Sequence, residues 1–250
     1  MKKIHSLVFI VLILTVFASA CKKQTVTYQS PQLADYFQFQ PGKYITYRLD
    51  STQFTSFGTI VTITSYQAKD VLDTIITDNL GRPGWRVIRY LSDTTGTAPW
   101  IESETYMITP TREDVEVVEN NMRYIKLVLP LVDGYNWQGN SYIDVTSDTF
   151  NVVTYLKNWN YTYDSVGMPY TTPAGVVANS VTVKQQDEYI GDFSDPSIYS
   201  ERNYSEEVYG KGIGLIFKNF LHQEFQPPNG NTPVSYTLGY GIRLTMIDHN

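Results

Sequence analysis

Cysteine and histidine, the side chains that most often supply thiol nucleophiles, general bases and zinc ligands, are scarce in this sequence. Cys21 is the only cysteine, and of the three histidines only His222 and His249 lie beyond the N-terminal leader, far apart from each other. One cysteine can form neither an intramolecular disulfide nor a cysteine–zinc cluster. A Ser/His/Asp triad converges in space, so sequence spacing does not exclude it. We predict His222 on a sheet surface, and a non-enzymatic protein without a catalytic residue, metal or cofactor.

Two groups of acidic residues have the composition of a site without its spacing. Glu102 and Glu104 alternate along one predicted strand, and a close carboxylate pair is what glycoside hydrolysis uses. The acidic segment 187–195 is the best cation candidate because hard cations prefer several oxygens from a flexible loop, but it lacks the spacing and glycine of a calcium loop. Its acids are Asp187, Glu188, Asp192 and Asp195. Solvent-exposed acids are the simpler interpretation of both groups.

Aromatic residues alternate through segment 151–164, which we predict to be a strand. The alternating side chains are Val153, Tyr155, Trp159, Tyr161 and Tyr163. An exposed set of this kind can stack on sugars or line a lipid-binding groove, whereas a buried set packs a core. Core packing is the commoner outcome, and the four aromatic residues stand beside it as candidate ligand contacts.

A recurring Asp-Ser or Asp-Thr pair resembles the pattern that Bacteroidota-type envelopes use for O-glycosylation. The acceptor hydroxyls would be those of Ser51, Thr74, Thr94 and Ser165. Asp followed by Ser or Thr also favours turns at strand ends, so the two interpretations stand equally. The intact mass of the native protein separates them, because a glycan adds mass beyond polypeptide and lipid.

The N-terminus has the pattern of a secretory leader that ends at a cysteine. Two lysines precede an apolar run over residues 7–14, and small residues precede Cys21. These are the three parts of a signal peptide, and the run is too short to span a bilayer. Segment 18–21 (ASAC) resembles the lipobox of bacterial lipoproteins, with Ala18 where leucine is commoner. The resemblance implies cleavage after residue 20 and a lipid on Cys21 that anchors the chain to a membrane.

The residues after Cys21 indicate a destination. Residues 21–35 are predicted to be the lipidated cysteine and a polar tether. Lys22-Lys23 lacks the aspartate that retains lipoproteins at the inner membrane, and it lacks the acidic cluster that marks surface export in Bacteroidota-type bacteria. By this resemblance the protein belongs to the cell outer membrane and faces the periplasm.

Residues 36–250 have the composition of a β-domain. Aromatic residues make up 14% of the chain, with 20 tyrosines, and charged residues only 18%. Such side chains suit a pleated, half-buried surface, and a net charge of −6 argues against a nucleic-acid partner. Apolar residues recur with period two and nowhere with a sustained period of 3.6. We predict an all-β, mainly antiparallel fold, in which a curved sheet forms a half-barrel or open barrel with at most one or two short helices.

The predicted elements follow the alternation and the turn residues between them. The strands are 44–49, 58–77 (one long strand or two successive ones), 85–91, 100–108, 115–118, 122–129, 142–145, 151–164, 175–190, 213–225 and 236–247, and the helix candidate is 195–199. Asn120-Asn121 predicts a hairpin, because asparagine tolerates positive φ. Similar Gly turns before aromatic strand starts allow two halves that meet near residue 130.

Three turn motifs resemble outer-membrane lipoproteins of Bacteroidota-type bacteria. They are Gly134-Tyr135-Asn136-Trp137, Pro173-Ala174-Gly175 and Tyr209 to Leu215. The resemblance implies the half-barrel of lipoprotein carriers, a curved sheet around an apolar groove, and it brings no activity. We expect a lipid-anchored envelope protein that binds an apolar or amphipathic ligand or acts in envelope assembly. The alternative is a surface-exposed adhesion module that binds glycans or proteins.

Overall fold

The structure is a computed structural model, and it describes residues 32–146, 153–230 and 232–250. They form a single antiparallel sheet of twelve strands. The strands are β1 (Tyr44–Thr55), β2 (Ile60–Thr77), β3 (Pro83–Ser92), β4 (Ile101–Pro110), β5 (Asp114–Glu119), β6 (Met122–Val128), β7 (Asn136–Gln138), β8 (Asn160–Thr172), β9 (Gly175–Ile190), β10 (Ser200–Gly210), β11 (Gly214–Gln226) and β12 (Tyr236–His249). The helical segments of this part of the chain are two 3-10 helices, Leu33–Tyr36 and Thr154–Leu156. The predicted all-β antiparallel class is confirmed.

Strands that follow one another in sequence are neighbours in the sheet, except β6 and β7, and a single long-range pairing joins β1 to β12. That pairing leaves β6 and β7 at the two edges of the ladder. Successive connections lie at alternate ends of the sheet because each strand reverses the chain direction. We call the end with the β1–β2 turn the upper end, and the end near Gln32 the lower end.

The two edges meet, which makes the sheet a nearly closed barrel. Ile125 of β6 donates its N–H to the carbonyl oxygen of Gly139 at 2.8 Å. Trp137 of β7 donates its indole N–H to the carbonyl oxygen of Ile125, also at 2.8 Å. The Tyr163 hydroxyl accepts from the N–H of Val128 at 2.7 Å and donates to its carbonyl oxygen at 2.6 Å. One backbone hydrogen bond and the side chains of Trp137 and Tyr163 therefore complete the seam where the backbone ladder stops.

The lower end is filled by the segment that leads into β1. Leu33 and Tyr36 are buried in the main apolar cluster, and Phe37 and Phe39 pack against it. The Phe37 ring lies 5.4 Å from that of Tyr209 on β10, centroid to centroid. The packed core therefore occupies the lower part of the barrel, and the open space lies above it.

The hairpin predicted at Asn120-Asn121 joins β5 to β6, with φ values of 52° and 59°. Residues 129–135, where two halves were expected to meet, connect the two edge strands. The predicted strand 142–145 is absent, and its residues form turn and coil. In the predicted strand 151–164, the described part is a 3-10 helix followed by β8 from Asn160.

Two further differences concern the second half of the chain. The helix candidate 195–199 is a turn in which the Asp195 carboxylate accepts the N–H of Ser197 at 2.9 Å. Two strands, β7 and β10, were not predicted. β10 is hidden in the sequence because its inward positions are mostly polar. They are Glu201, Asn203, Ser205, Glu207 and Tyr209.

Candidate functional site in the barrel lumen

The upper part of the barrel contains a cavity of about 400 Å³. One part of its lining is apolar and comes from Leu49, Leu91, Met122, Trp159, Phe220 and Ile242. Another part is charged and comes from Arg89, Glu104, Glu119, Lys126 and Lys218. The lining includes the exposed residues Ser103 and Asn120, so the cavity reaches the surface. Its volume lies within the usual range for small-molecule sites.

Four charged side chains form one network across the lumen. The Lys126 ammonium lies 2.8 Å from Glu207 and 3.7 Å from Glu119. The Lys218 ammonium lies 3.3 Å from Glu119 and 3.6 Å from Glu207. Each cation therefore contacts both carboxylates, and the four charges cancel. Since β5 and β6 are not neighbours of β10 and β11 in the sheet, the network joins two separate parts of the barrel wall.

The Glu207 carboxylate is fully bonded. Its second oxygen accepts from Gln185 at 2.8 Å and from the Tyr209 hydroxyl at 2.6 Å. The Ser205 hydroxyl in turn donates to the side-chain oxygen Oε1 of Gln185 at 2.6 Å. These hydrogen bonds and the nearby ammonium groups favour the ionised form of this buried carboxylate.

The lysines control the ionisation of the two carboxylates. Burial raises the pKa of Glu119, but the ammonium groups of Lys218 and Lys126 outweigh that effect and lower the pKa to about 2. The same opposition lowers the pKa of the buried Glu207. Burial alone would lower the pKa of Lys218, yet the two carboxylates raise it above its ordinary value. The carboxylates are therefore ionised at neutral pH.

Acid should destabilise the protein over a window that this network defines. A folded-state pKa of about 2 for Glu119, against an ordinary value of 4.5, contributes stability that is complete above about pH 4.5 and is lost as the pH falls toward 2. We expect the urea-unfolding free energy to decline in that window, and the deficit of Glu119→Gln relative to the unchanged protein to shrink with it. A deficit that stays constant from pH 7 to pH 2 would assign the acid sensitivity to other carboxylates.

Arg89 separates the cavity from a smaller space beneath it. Its guanidinium binds Asp70 through two contacts of 2.7 Å and reaches Glu104 at 3.3 Å. The Tyr106 hydroxyl donates to the same Asp70 carboxylate at 2.9 Å. Asp70 and Tyr106 line the lower space, which is about 60 Å³. The cavity thus has a fixed polar floor.

A second cleft of about 410 Å³ shares Tyr155 with the cavity. The His222 ring stacks on the Tyr155 ring with centroids 3.9 Å apart, and its Nδ1 lies 2.7 Å from the Asn203 side-chain oxygen. Burial lowers the pKa of His222 although Glu201 and Glu224 oppose this, so the imidazole is neutral at pH 7. The expected surface position of His222 is wrong, because β11 directs alternate residues inward and this histidine is one of them.

The acidic residues singled out in the sequence are dispersed. Glu104 lines the cavity, whereas Glu102 is exposed. Asp192 and Asp195 accept N–H groups of their own loop, and Asp187 pairs with Arg202 at 2.5 Å. Within the described ranges, no three His, Cys, Asp or Glu side chains are grouped so that they could hold a metal ion.

The four candidate aromatic residues have three different positions. Trp159 and Tyr161 are almost fully buried, and both line the cavity. Tyr155 is half-buried on the second 3-10 helix and also lines the cavity. Tyr163 is buried at the barrel seam. The structure therefore brings three of the four to one cavity, as part of its wall.

The candidate modification sites are dispersed over the chain. Thr74, Thr94 and Ser165 are exposed, and Ser51 is half-buried in β1. The Asp93 carboxylate accepts from Thr95 and Thr97, which is the bonding of a turn. Cys21 and the leader lie outside the described residues.

The lysine–glutamate network was not predicted from the sequence. The available signal was a charge at an inward position of an otherwise apolar strand face. Lys218 precedes Phe220 and His222 at two-residue spacing, which places all three on one face. Glu207 carried no such signal, because β10 itself was not predicted.

Similar chains are found among solved structures, two of them from Bacteroides and Parabacteroides species. One is a protein of Bacteroides fragilis NCTC 9343, described as exported and with a YMCC-like fold; it is 12% identical, with 86% of this chain and 98% of that chain covered and a TM-score of 0.34. The other is described as a lipoprotein of Parabacteroides distasonis ATCC 8503, at 9% identity, the same coverages and a TM-score of 0.33. No family model matches the sequence, and no curated protein is similar to it.

In the part of the chain that the structure describes, no helix is long and apolar enough to cross a bilayer.

Proposed function

We propose that the chain is a non-enzymatic lipoprotein of the bacterial envelope whose barrel lumen binds a small amphipathic molecule. It is anchored by lipid on Cys21, in the outer membrane and facing the periplasm. The observation that carries the proposal is the mixed lining of the 400 Å³ cavity. An apolar surface offers burial to a hydrocarbon or ring, and fixed charges beside it orient a polar group.

The charge arrangement supports an amphipathic ligand over a purely apolar one. A wholly apolar guest would lie against Lys218 and Glu119 without replacing the water that solvates them, which is costly. A guest with a polar group can bond to this pair while its apolar part contacts Phe220 and Ile242. The aromatic residues give little support to the adhesion alternative, because Trp159, Tyr161 and Tyr163 are buried and cannot form an exposed stacking platform.

The ligand test uses 8-anilinonaphthalene-1-sulfonate, an anionic amphiphile whose fluorescence rises in apolar sites. The protein is the chain 21–250 with Cys21→Ser. We expect saturable binding, and at least about a tenfold weaker affinity in Met122→Trp, whose indole fills the cavity, corresponding to 1.4 kcal/mol or more. Met168→Trp is the matched control, because Met168 is exposed on β8 and outside the cavity. Equal affinities in the two variants, or no saturable binding, would reject a lumen site.

The anchor is tested in cells by incorporation of labelled palmitate. The unchanged chain should carry the label, and Cys21→Ser should not. Label in both chains would place the lipid elsewhere, and label in neither would remove the anchor from the proposal.

A further inference from the structure

The upper end of the barrel carries an exposed apolar projection, which we call the apex. It consists of Phe57, Ile60, Val61, Ile63 and Leu238, each more than half exposed. Phe57 is at the turn of the β1–β2 hairpin and is 79% exposed. Val61 and Ile63 lie on one face of β2, and Ile60 lies on the other because strand side chains alternate. The hairpin tip is therefore apolar on both faces, which a strand packed in a barrel wall is not.

The apex also lacks charge. None of residues 51–68 is charged, nor is any residue of β12 from Tyr236 to Ile242, although the chain as a whole has a net charge of −6. A protein-docking surface has an apolar centre within a polar rim. A surface that enters the headgroup and acyl boundary of a bilayer gains from apolar area, and charge on it is costly. The absence of charge over the whole tip matches the second case.

The tip has a defined conformation before it meets any partner. Ser56, Phe57 and Gly58 all have positive φ, between 51° and 79°. The N–H of Thr237 donates to the Phe57 carbonyl oxygen at 3.0 Å, which ties the turn to the start of β12. Contact with a bilayer would therefore not require the tip to fold, and little ordering entropy opposes it.

The anchor can bring a membrane within reach of the apex, and this step rests on the proposed function. β1 has 12 residues and is about 40 Å long. The chain from Cys21 to Gln32 can also extend to at most about 40 Å. A lipid on Cys21 therefore allows the barrel to lie along the membrane with its upper end in contact. A second contact at the upper end would fix the orientation of the barrel on that membrane.

We propose that the apex inserts into the interfacial region of a zwitterionic lipid bilayer, as a contact separate from the lipid on Cys21. The neutrality of the apex makes binding insensitive to salt, unlike attraction of a basic patch to anionic lipid. Phe57 enters first, and the apolar residues of β2 follow.

The test uses the chain 21–250 with Cys21→Ser, which contains no other cysteine. Two single-cysteine variants are labelled with a nitrobenzoxadiazole fluorophore. Phe57→Cys places the fluorophore at the apex, and Arg112→Cys places it at the lower end as the control. Phosphatidylcholine–phosphatidylethanolamine vesicles should raise the fluorescence at position 57 at least about twofold, with no change at position 112. An equal change at both positions, or none at position 57, would overturn the proposal.

Co-sedimentation with vesicles is then measured for two matched variants of the unlabelled chain. Ile63 and Ile75 are both exposed on β2, at 64% and 57%, but only Ile63 belongs to the apex. Ile63→Asp should weaken binding at least about tenfold and Ile75→Asp should leave it unchanged, at low and high salt alike. Equal losses in the two variants, or binding that salt abolishes, would contradict insertion of the apex into the bilayer. So would a dimer that forms through the apex in sedimentation velocity without vesicles. Naphthalene-sulfonate binding in Ile63→Asp stays unchanged, so failure of the apex and failure of the lumen site are distinguishable.

Discussion

Lys126→Met should lower the free energy of unfolding by about 3 kcal/mol at pH 7, because it leaves a buried carboxylate without its nearest cation. The Glu207 side chain is 1% exposed, and Lys126 is its closest cation at 2.8 Å. Lys218, at 3.6 Å, compensates only in part. The loss should shrink toward pH 5, since without Lys126 the carboxylate can take up a proton instead of remaining charged. Urea unfolding followed by circular dichroism at both pH values measures it.

The control for Lys126→Met is an exposed pair in the same sheet. Lys184→Met removes the partner of Asp164, but these side chains are 58% and 45% exposed, so the change should stay below about 1 kcal/mol. Combining Lys126→Met with Glu207→Gln should restore at least half of the lost stability, because the uncompensated charge is then gone. Losses of equal size for Lys126→Met and Lys184→Met would show that the network does not stabilise the barrel.

The fold class could be predicted because strand alternation is local. β9 was predicted with its observed bounds, and β12 to within two residues at its end. Both have apolar residues on their inward face, so burial and sequence period coincide. β10 fails this condition because its inward residues Glu201 to Glu207 pair with groups on other strands. Because the inward residues of β10 are mostly polar, this strand lacks the apolar alternation by which strands are recognised in a sequence.

The seam and the cavity depend on contacts between distant residues, which no short window contains. Tyr163 closes the seam by bonding Val128, and Trp159 reaches the cavity after a 3-10 helix. The alternation over 151–164 is present in β8, but the predicted strand wrongly included the 3-10 helix that precedes β8. Three of the four candidate aromatic residues line one cavity, and their division between cavity wall and seam required the closed barrel.

The apolar apex is the reverse case. Its residues alternate along the strand as a buried strand would, but in the structure they are exposed. The alternation of Ile60, Val61 and Ile63 places side chains on both faces of β2, as the sequence predicts. The sequence does not show that this part of the strand extends beyond its packed neighbours. Exposure is set by where the opposite strands end, and β12 pairs with β1 only as far as Gln53.

Trp159→Ala should destabilise the fold by about 4 kcal/mol, the cost of removing a large buried side chain. Trp159 is 2% exposed, packs with centroid distances of 6.3 Å to Tyr155 and 6.2 Å to Phe220, and donates its indole N–H to the Tyr155 carbonyl at 2.6 Å. Trp159→Phe keeps most of the volume and loses the hydrogen bond, so about 1–2 kcal/mol is expected. Urea unfolding followed by circular dichroism avoids the loss of the tryptophan signal.

Trp100→Ala is the comparison for Trp159→Ala, because Trp100 is half-buried and lies outside the apolar clusters, with the Lys69 ammonium 4.2 Å from its ring centroid. Its removal should cost about 1 kcal/mol. This pair of variants decides between the two interpretations of the aromatic segment. If Trp159 serves mainly to stack on a ligand, its replacement by alanine costs no more stability than that of Trp100 and abolishes naphthalene-sulfonate binding. If Trp159 mainly supports the barrel, Trp159→Ala lowers the free energy of unfolding by about 3 kcal/mol more than Trp100→Ala does.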